Sequence, residues 1–293
     1  MNEGNEITSM ECRFLNRGYF DKLYEAFTLA FSDYVIPFAL TEAQFRNHIN
    51  LTAVDLDRTV GCFVDERIVG FSLNGFGEWD GRRTVYDAGT GVVPDQRRRG
   101  LSESMFKMML EDFAKAGLEQ CLLEVITTNT GAISLYEKLG FRKTRRLALL
   151  QCDGKLSAPC DERPDVEIRE IKDPDWDLLG SFWEGKPSWQ NSIDAIERSR
   201  GLKLILGAFE SEQCVGYAAF SAKFGRIAQM AVSKEHRRRG VGTALLKAVQ
   251  NETADGFSMQ VINIDTGLSD VMNFFLNRGF YERLDQHEML KTL

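Results

Sequence analysis

The stretch Val92–Ser102 reads VVPDQRRRGLS, and Val232–Gly242 reads VSKEHRRRGVG, with Gly100 and Gly240 standing 140 residues apart. Each places three arginines before a glycine in a chain of formal net charge −7. One such triplet is what solvated surface charge looks like. Recurrence before glycine, each time between a strand-like and a helix-like segment, indicates a loop with a task. The first turn of a helix has free N–H groups and the positive end of the dipole, which together suit phosphate. A glycine there lets a ligand approach the backbone, and arginines add charge and forked donors. Such a loop suits a diphosphate. It is neither a GxxxxGK[ST] loop nor a dinucleotide fingerprint, because Pro94 stands where Gly89 and Gly91 would require a third glycine.

The repeat extends beyond the loops. Gly70 in IVGFS matches Gly216 in CVGYA, Val93 matches Val232, and Gly140-Phe141 matches Gly279-Phe280. This is duplication of a whole domain rather than of a short solenoid unit. A polar segment with glycine and two prolines, Cys152–Pro164, reads as the linker, giving domains 1–152 and 165–293. In the first, ECRFL is a short strand, and Phe20, Leu23, Tyr24, Phe27 and Phe31 recur at helical spacing. Thr41 with Gln44 forms a capping box for a second helix. A hairpin turns at Asp65–Glu66, RTVYDAGTGVV is a long strand, and Leu101–Lys115 is an amphipathic helix. QCLLEVI is a buried strand, Gly131–Leu139 a short helix and FRKTRRLALLQ a last strand. The second half follows the same order, with helices at Trp176–Trp183, Val241–Glu252 and Ser269–Asn277. Each half is therefore a mixed α/β unit, an antiparallel meander followed by βαβ crossovers.

Composition narrows the function classes. The length of 293 residues with 43% hydrophobic side chains supports two ordinary cores. The acidic balance argues against nucleic acid as the main partner and is compatible with a cationic acceptor such as an amine. The N-terminus MNEGNEITSM is no secretory signal, and no apolar run reaches bilayer length, so a cytoplasmic protein without a membrane partner is expected. His48, His236 and His287 are scattered without ligand spacing, so no metal site is expected. The six cysteines, Cys12, Cys62, Cys121, Cys152, Cys160 and Cys214, form no CxxC pair and read as free thiols.

Val93-Pro94-x-x-Arg97-x-x-Gly100-x-Ser102 resembles the acyl-CoA pyrophosphate loop of the GNAT superfamily of N-acetyltransferases, whose form is Arg/Gln-x-x-Gly-x-Gly/Ala. NTGAISLYEKLGF, Asn129–Phe141, resembles the same family's late motif at Asn129, Ala132, Leu135, Tyr136, Gly140 and Phe141. The resemblance implies tandem GNAT-fold domains, acetyl-CoA as cosubstrate, and transfer of an acetyl group to a primary amine of a small molecule or peptide. It implies a cofactor site of Val92, Val93, Arg97, Arg98, Arg99, Gly100, Leu101, Ser102, Asn129 and Tyr136. It also implies Tyr136 as the acid toward the leaving thiolate and a strand-end N–H, that of Val93, as oxyanion donor. Asp87 and Glu124 are both candidates for the base, and Phe31 and Tyr34 for acceptor contacts.

The second half keeps the loop, with Val232, Arg237, Arg238, Arg239, Gly240, Val241 and Gly242 as a second possible CoA site. Its late motif is degraded, with Leu268, Val271 and Phe275 in place of asparagine, alanine and tyrosine. The first half is therefore expected to catalyse. Two rival readings stay open: a non-catalytic acyl-CoA-binding protein, and catalysis by the second half with the first as scaffold. Monomer and homodimer also both stay open.

Overall fold

The computed structural model describes residues 10–33, 40–157 and 166–293. The chain forms two compact units. The first holds Met1–Val125, Asn129–Lys143 and Met289–Leu293, and the second holds Ile126–Thr128 and Thr144–Glu288. These units are bounded differently from the division at 152 and 165. Most of the last strand of the first half is in the second unit, and the last residues of the chain are in the first. A pattern of apolar alternation says that a segment is a strand but not which neighbour it joins. Residues 158–165 of the expected linker, including Cys160, lie outside the described residues.

In the first unit, strands β1 (Met10–Phe14), β2 (Val60–Val64), β3 (Arg67–Trp79), β4 (Arg82–Val92) and β5 (Gln120–Ile126) lie in that order. The first four form an antiparallel meander, and β4 runs parallel to β5. Helices α1 (Phe20–Ala30) and α2 (Glu42–Leu51) cover one face, with Phe27 and Phe45 packed on Phe71 and Leu73. Helices α3 (Leu101–Lys115) and α4 (Thr130–Lys138) cover the other, over Val69, Val85, Cys121, Leu123 and Val125. The α3 stripe Met105, Phe106, Met109, Leu110 and Phe113 is buried throughout. At roughly 1.5–3 kcal/mol per side chain, that stripe is what holds the helix down. The capping box at Thr41 is present as expected, with both reciprocal hydrogen bonds formed.

The second unit runs through β6 (Arg142–Cys152), β7 (Val166–Glu170), α5 (Trp176–Gly180), α6 (Ile193–Arg198), β8 (Leu204–Glu210), β9 (Gln213–Ser221), β10 (Arg226–Val232), α7 (Val241–Glu252), β11 (Met259–Asp265), α8 (Ser269–Leu276) and β12 (Tyr281–Thr292). Its strand order is β6-β11-β10-β9-β8-β7, with β12 on the free side of β6. Helix α5 is shorter than expected. Helix α6 was not anticipated: at six residues it is too short to show a period, and only the Ser192 cap announces it.

The expectation that all the cysteines are free thiols is corrected by a disulfide between Cys12 and Cys62. The two stand directly opposite in the β1–β2 ladder, a proximity hidden by a separation of 50 positions in the sequence. Cys121, Cys152 and Cys214 are free. Among the described residues no helix is long and apolar enough to cross a membrane.

Candidate active site

Parallel pairing of β4 with β5 ends at Asp87↔Leu123. At that point the β3–β4 register steps from Asn74↔Asp87 to Leu73↔Gly89, so Ala88 is the extra residue of a β-bulge. Bulges turn a strand away from its line and interrupt its pairing. From Ala88 onward β4 leaves β5, and a gap opens between them. His48 Nε2 on α2 donates to the freed carbonyl of Ala88 at 2.8 Å. A carbonyl only accepts, so this nitrogen carries the proton. The second unit repeats the device. Pairing of β10 with β11 covers Arg226↔Gln260 and Ile227↔Val261, and the bulged residue is Ala228, 140 residues after Ala88.

The open edge of β4 differs from the expected one. The Val93 N–H donates to the Val69 carbonyl at 2.9 Å and is therefore not the oxyanion donor. Antiparallel ladders alternate between residues bonded to the neighbour and residues whose N–H and C=O point away. Counting back, Gly91 faces β3, while Thr90 and Val92 direct their N–H groups into the gap. Gly91 is glycine because a Cβ there would lie 2.7 Å from the Phe71 ring and 2.9 Å from Ala30. In the second unit Ser233 N–H donates to Val215, so Val93 corresponds to Ser233 and Val92 to Val232.

Beyond the edge, Arg98 and Gly100 both take positive φ, 61° and 77°, as do Arg238 and Gly240 at 59° and 83°. Alternation of this kind turns successive N–H groups toward one concavity that suits an anion. Gly100 and Gly240 are the N-caps of α3 and α7, and neither helix has a side-chain cap, whereas Thr41, Asn129, Asp175 and Ser192 cap α2, α4, α5 and α6. A Cβ added at Gly100 would meet nothing within 4 Å, so the cradle is open. A diphosphate thioester fits these features, with Leu101 and Ser102 opening the uncapped turn and Arg98 and Arg99 exposed around it.

Arg97 is placed otherwise than expected. Its Nε donates to Val92 O at 3.1 Å, Nη2 donates to Ala30 O at 2.9 Å, and the fork grips Asp33 with two bonds of 2.7 Å. The Arg97 guanidinium accordingly holds the Asp33 carboxyl below its usual range. Arg237 repeats the pattern on Val232 O, Phe182 O and Glu184. Asn129 is likewise committed, since its Oδ1 accepts from Ala132 N at 3.2 Å and caps α4.

The two candidate bases are separated. Asp87 lies on the α3 face, 6% exposed, and accepts from Gly89 N at 3.1 Å and from Thr90 Oγ1 at 3.0 Å. Burial pushes its carboxyl up to about 6 against those two hydrogen bonds. Glu124 is on the opposite face, half-buried, and accepts from the Tyr86 hydroxyl at 3.2 Å. Tyr136 of α4 is buried, with its ring against Phe106 and Phe141. Phe31 packs on Phe27 and Phe71. Tyr34 lies outside the described residues.

The second unit keeps the bulge, the cradle and the arginine but differs at the gap. Gln229 Nε2 donates to Asn191 O at 2.5 Å, and Asn191 Nδ2 donates to Ile262 O on β11 at 2.7 Å. Gln229 Oε1 accepts from the Tyr217 hydroxyl, which accepts from Trp183 Nε1, each at 2.6 Å. Burial pushes the Tyr217 phenol up. This amide chain ties β10 to β11 where they part. The single carboxylate of β11, Asp265, is held by Gly267 N and Arg145. Phe275, at the place of the tyrosine, packs on Phe274 and Phe280. A cavity of about 510 Å³ remains, lined by Trp183, Gln229, Arg238, Asn263 and Phe274 among others. Sequence reasoning missed His48, Tyr86, Thr90, Asn191 and Gln229 as site residues, because strand register, the bulges and the docking of distant helices and turns bring them there.

Comparisons with known proteins agree with this geometry. Residues 20–141 match the acetyltransferase (GNAT) family, and residues 202–285 match a GNAT acetyltransferase domain. The [ribosomal protein bS18]-alanine N-acetyltransferase of Escherichia coli K12 is 31% identical over 111 residues, covering 35% of this chain and 75% of that protein. N-alpha-acetyltransferase 30 of Schizosaccharomyces pombe is 28% identical over 100 residues, covering 33% of this chain and 60% of that protein. Among solved structures, a putative acetyltransferase from Pyrococcus horikoshii has a TM-score of 0.71 at 16% identity, covering 100% of this chain and 92% of that one. A tandem GNAT protein from the clavulanic acid biosynthesis pathway has a TM-score of 0.70 at 13% identity, covering 97% and 98%, a likeness of fold. With a bulge-opened gap, an uncapped glycine-led helix and the family match in each half, the chain belongs to the GNAT family as a tandem N-acetyltransferase.

Proposed function

We propose that the first unit moves an acetyl group from acetyl-CoA to a primary amine, and that the second unit is a degenerate copy without that chemistry. The observation that carries this reading is the placement of Glu124. The α3 cradle and Asp87 lie on one face of the sheet, Glu124 on the other, and the gap between β4 and β5 joins the two sides. When bound, acetyl-CoA supplies an activated carbonyl carbon. In this reading the amine approaches from the Glu124 face, and Glu124 accepts its proton directly or through water. The N–H groups of Thr90 and Val92 aim at the place where negative charge develops, as preorganised donors do. Asp87 fixes Thr90 through its hydroxyl and is a positioning residue. The Tyr136 hydroxyl donates a proton to the departing sulfur, a phenol near 10 and a thiol near 8.5 being closely enough matched.

One sequence relative is named for N-acetylation of alanine in ribosomal protein bS18 and the other for N-alpha-acetylation. A peptide α-amine is therefore the first acceptor to try, with small amines second. The test is release of free CoA thiol from acetyl-CoA by the full chain, over peptides with varied N-termini and a panel of small amines. Transfer that survives Glu124→Gln and Gly100→Glu but is abolished by Gly240→Glu would move the chemistry to the second unit. Tight CoA binding with no transfer across the panel would favour a binding protein.

A further inference from the structure

Arg97 offers every nitrogen of its guanidinium to protein acceptors, so its fork is aimed away from the cradle that it borders. Three elements meet on that one side chain. Val92 O belongs to the strand end that walls the gap. Arg97 itself follows the Pro94–Gln96 turn and precedes the positive-φ residues of the loop. Ala30 O and Asp33 belong to the end of α1, on the face carrying Glu124. The arrangement is built twice, since Arg237 reaches Val232 O, Phe182 O and Glu184 in the same order of nitrogen atoms. A planar fork fixes direction in a way that the point charge of a lysine does not. A surface ion pair of this exposure, 39% and 52%, adds little to stability, so its repetition asks for another reason.

We propose that Arg97 and Asp33 form a positioning clamp that couples occupancy of the diphosphate cradle to order at the acceptor-side end of α1. The clamp rests on the reading of the first unit as the donor-binding domain. An anion drawn onto the N–H groups beside Arg98 and Gly100 fixes the loop, the fork carries that constraint to Asp33 and Ala30 O, and the coupling is reciprocal by linkage. Arg97 is thus a positioning residue, and the phosphate contacts fall to the backbone and to Arg98 and Arg99.

The test uses the full chain with CoA as the probe and hydrogen exchange as the readout. In the wild type, saturating CoA should slow exchange of the amides of Leu29–Asp33 by about fivefold or more, the usual lower end of allosteric coupling. Asp33→Asn should bind CoA within about fivefold of wild type, as expected for loss of one exposed ion pair, but lose that slowing. Asp33→Glu should restore it, and Glu184→Gln should leave it in place. Unchanged slowing in Asp33→Asn overturns the clamp. So does an absence of slowing in a wild type that calorimetry shows to be saturated. A wild type that binds no CoA at all overturns the donor reading first, and calorimetry separates that outcome from the others.

Discussion

Glu124 and Asp87, on neighbouring strands, point to opposite faces of the first unit's sheet. Asp87 pairs in register with Leu123, and the next residue along β5 turns the other way to receive the Tyr86 hydroxyl. In the proposed reading Glu124 faces the incoming amine, and Asp87 lies on the side of the α3 cradle. Glu124→Gln keeps the size and the acceptor oxygen for Tyr86 but cannot take a proton. Its kcat/KM should fall by about 10²–10⁴, the usual worth of a positioned base, while CoA affinity by calorimetry stays at the wild-type level. A wild-type kcat/KM in the variant would remove Glu124 from that role.

Asp87 should reveal itself in stability. Its folded value, raised to about 6 by burial, lies above the ordinary carboxylate value of 3.8. The folded state therefore binds the proton more tightly, and the Asp87 contribution to stability is present at low pH and lost as pH rises from about 4 to 6. Two pH units amount to roughly 3 kcal/mol. Asp87→Asn should be flatter than wild type across that window in urea unfolding, and should be more stable than wild type above pH 6. Its turnover should fall less than that of Glu124→Gln, through Thr90. Parallel stability curves for the two proteins would contradict the burial argument.

A carboxylate set in the cradle should repel a diphosphate. Gly100→Glu should lose CoA binding by calorimetry. Because Gly100 sits at φ 77°, any side chain there carries backbone strain of about 1 kcal/mol, and Gly100→Asn, which tolerates that conformation, is the control. Gly240→Glu asks the same of the second unit. If the first unit is the donor site, acetyl transfer is lost in Gly100→Glu and kept in Gly240→Glu.

Tyr136→Phe removes one oxygen and keeps the ring against Phe106 and Phe141. Turnover should drop at least about tenfold while CoA affinity stays nearly as it was. The second unit already carries phenylalanine at this place, in Phe275, packed on Phe280, the counterpart of Phe141, and on its own neighbour Phe274. Equal turnover of the variant and the wild type at every pH would falsify the acid role.

Local chemistry made much of this legible. The α3 stripe, the Thr41–Gln44 box and the two arginine–glycine loops each depend on residues within one or two turns of one another, which sequence displays directly. The sidedness of Asp87 and Glu124 depends on the Asp87↔Leu123 register of β4 with β5, and the gap beyond it on the bulge at Ala88, neither of which alternation within one strand reveals. The Arg97 fork and the Cys12–Cys62 bond join residues 64 and 50 positions apart, set by tertiary packing. The Asn191–Gln229 bridge grows from a short turn with no period to read. Repetition by duplication supplied the strongest signal, but it does not show that the compact units exchange their closing segments.

That exchange of closing segments has a consequence in time. Met289–Leu293 belong to the first unit, where Leu293 N–H donates to Glu119 O beside β5. The half of the chain that leaves the ribosome first is thus the last to be completed. At typical synthesis rates, roughly seven to thirty seconds separate Lys143 from Met289. During that interval one flank of β5 waits without its partner, an open strand edge of the kind that invites mispairing. The nascent first unit is where a chaperone, or a stalled ribosome, would matter most to this protein.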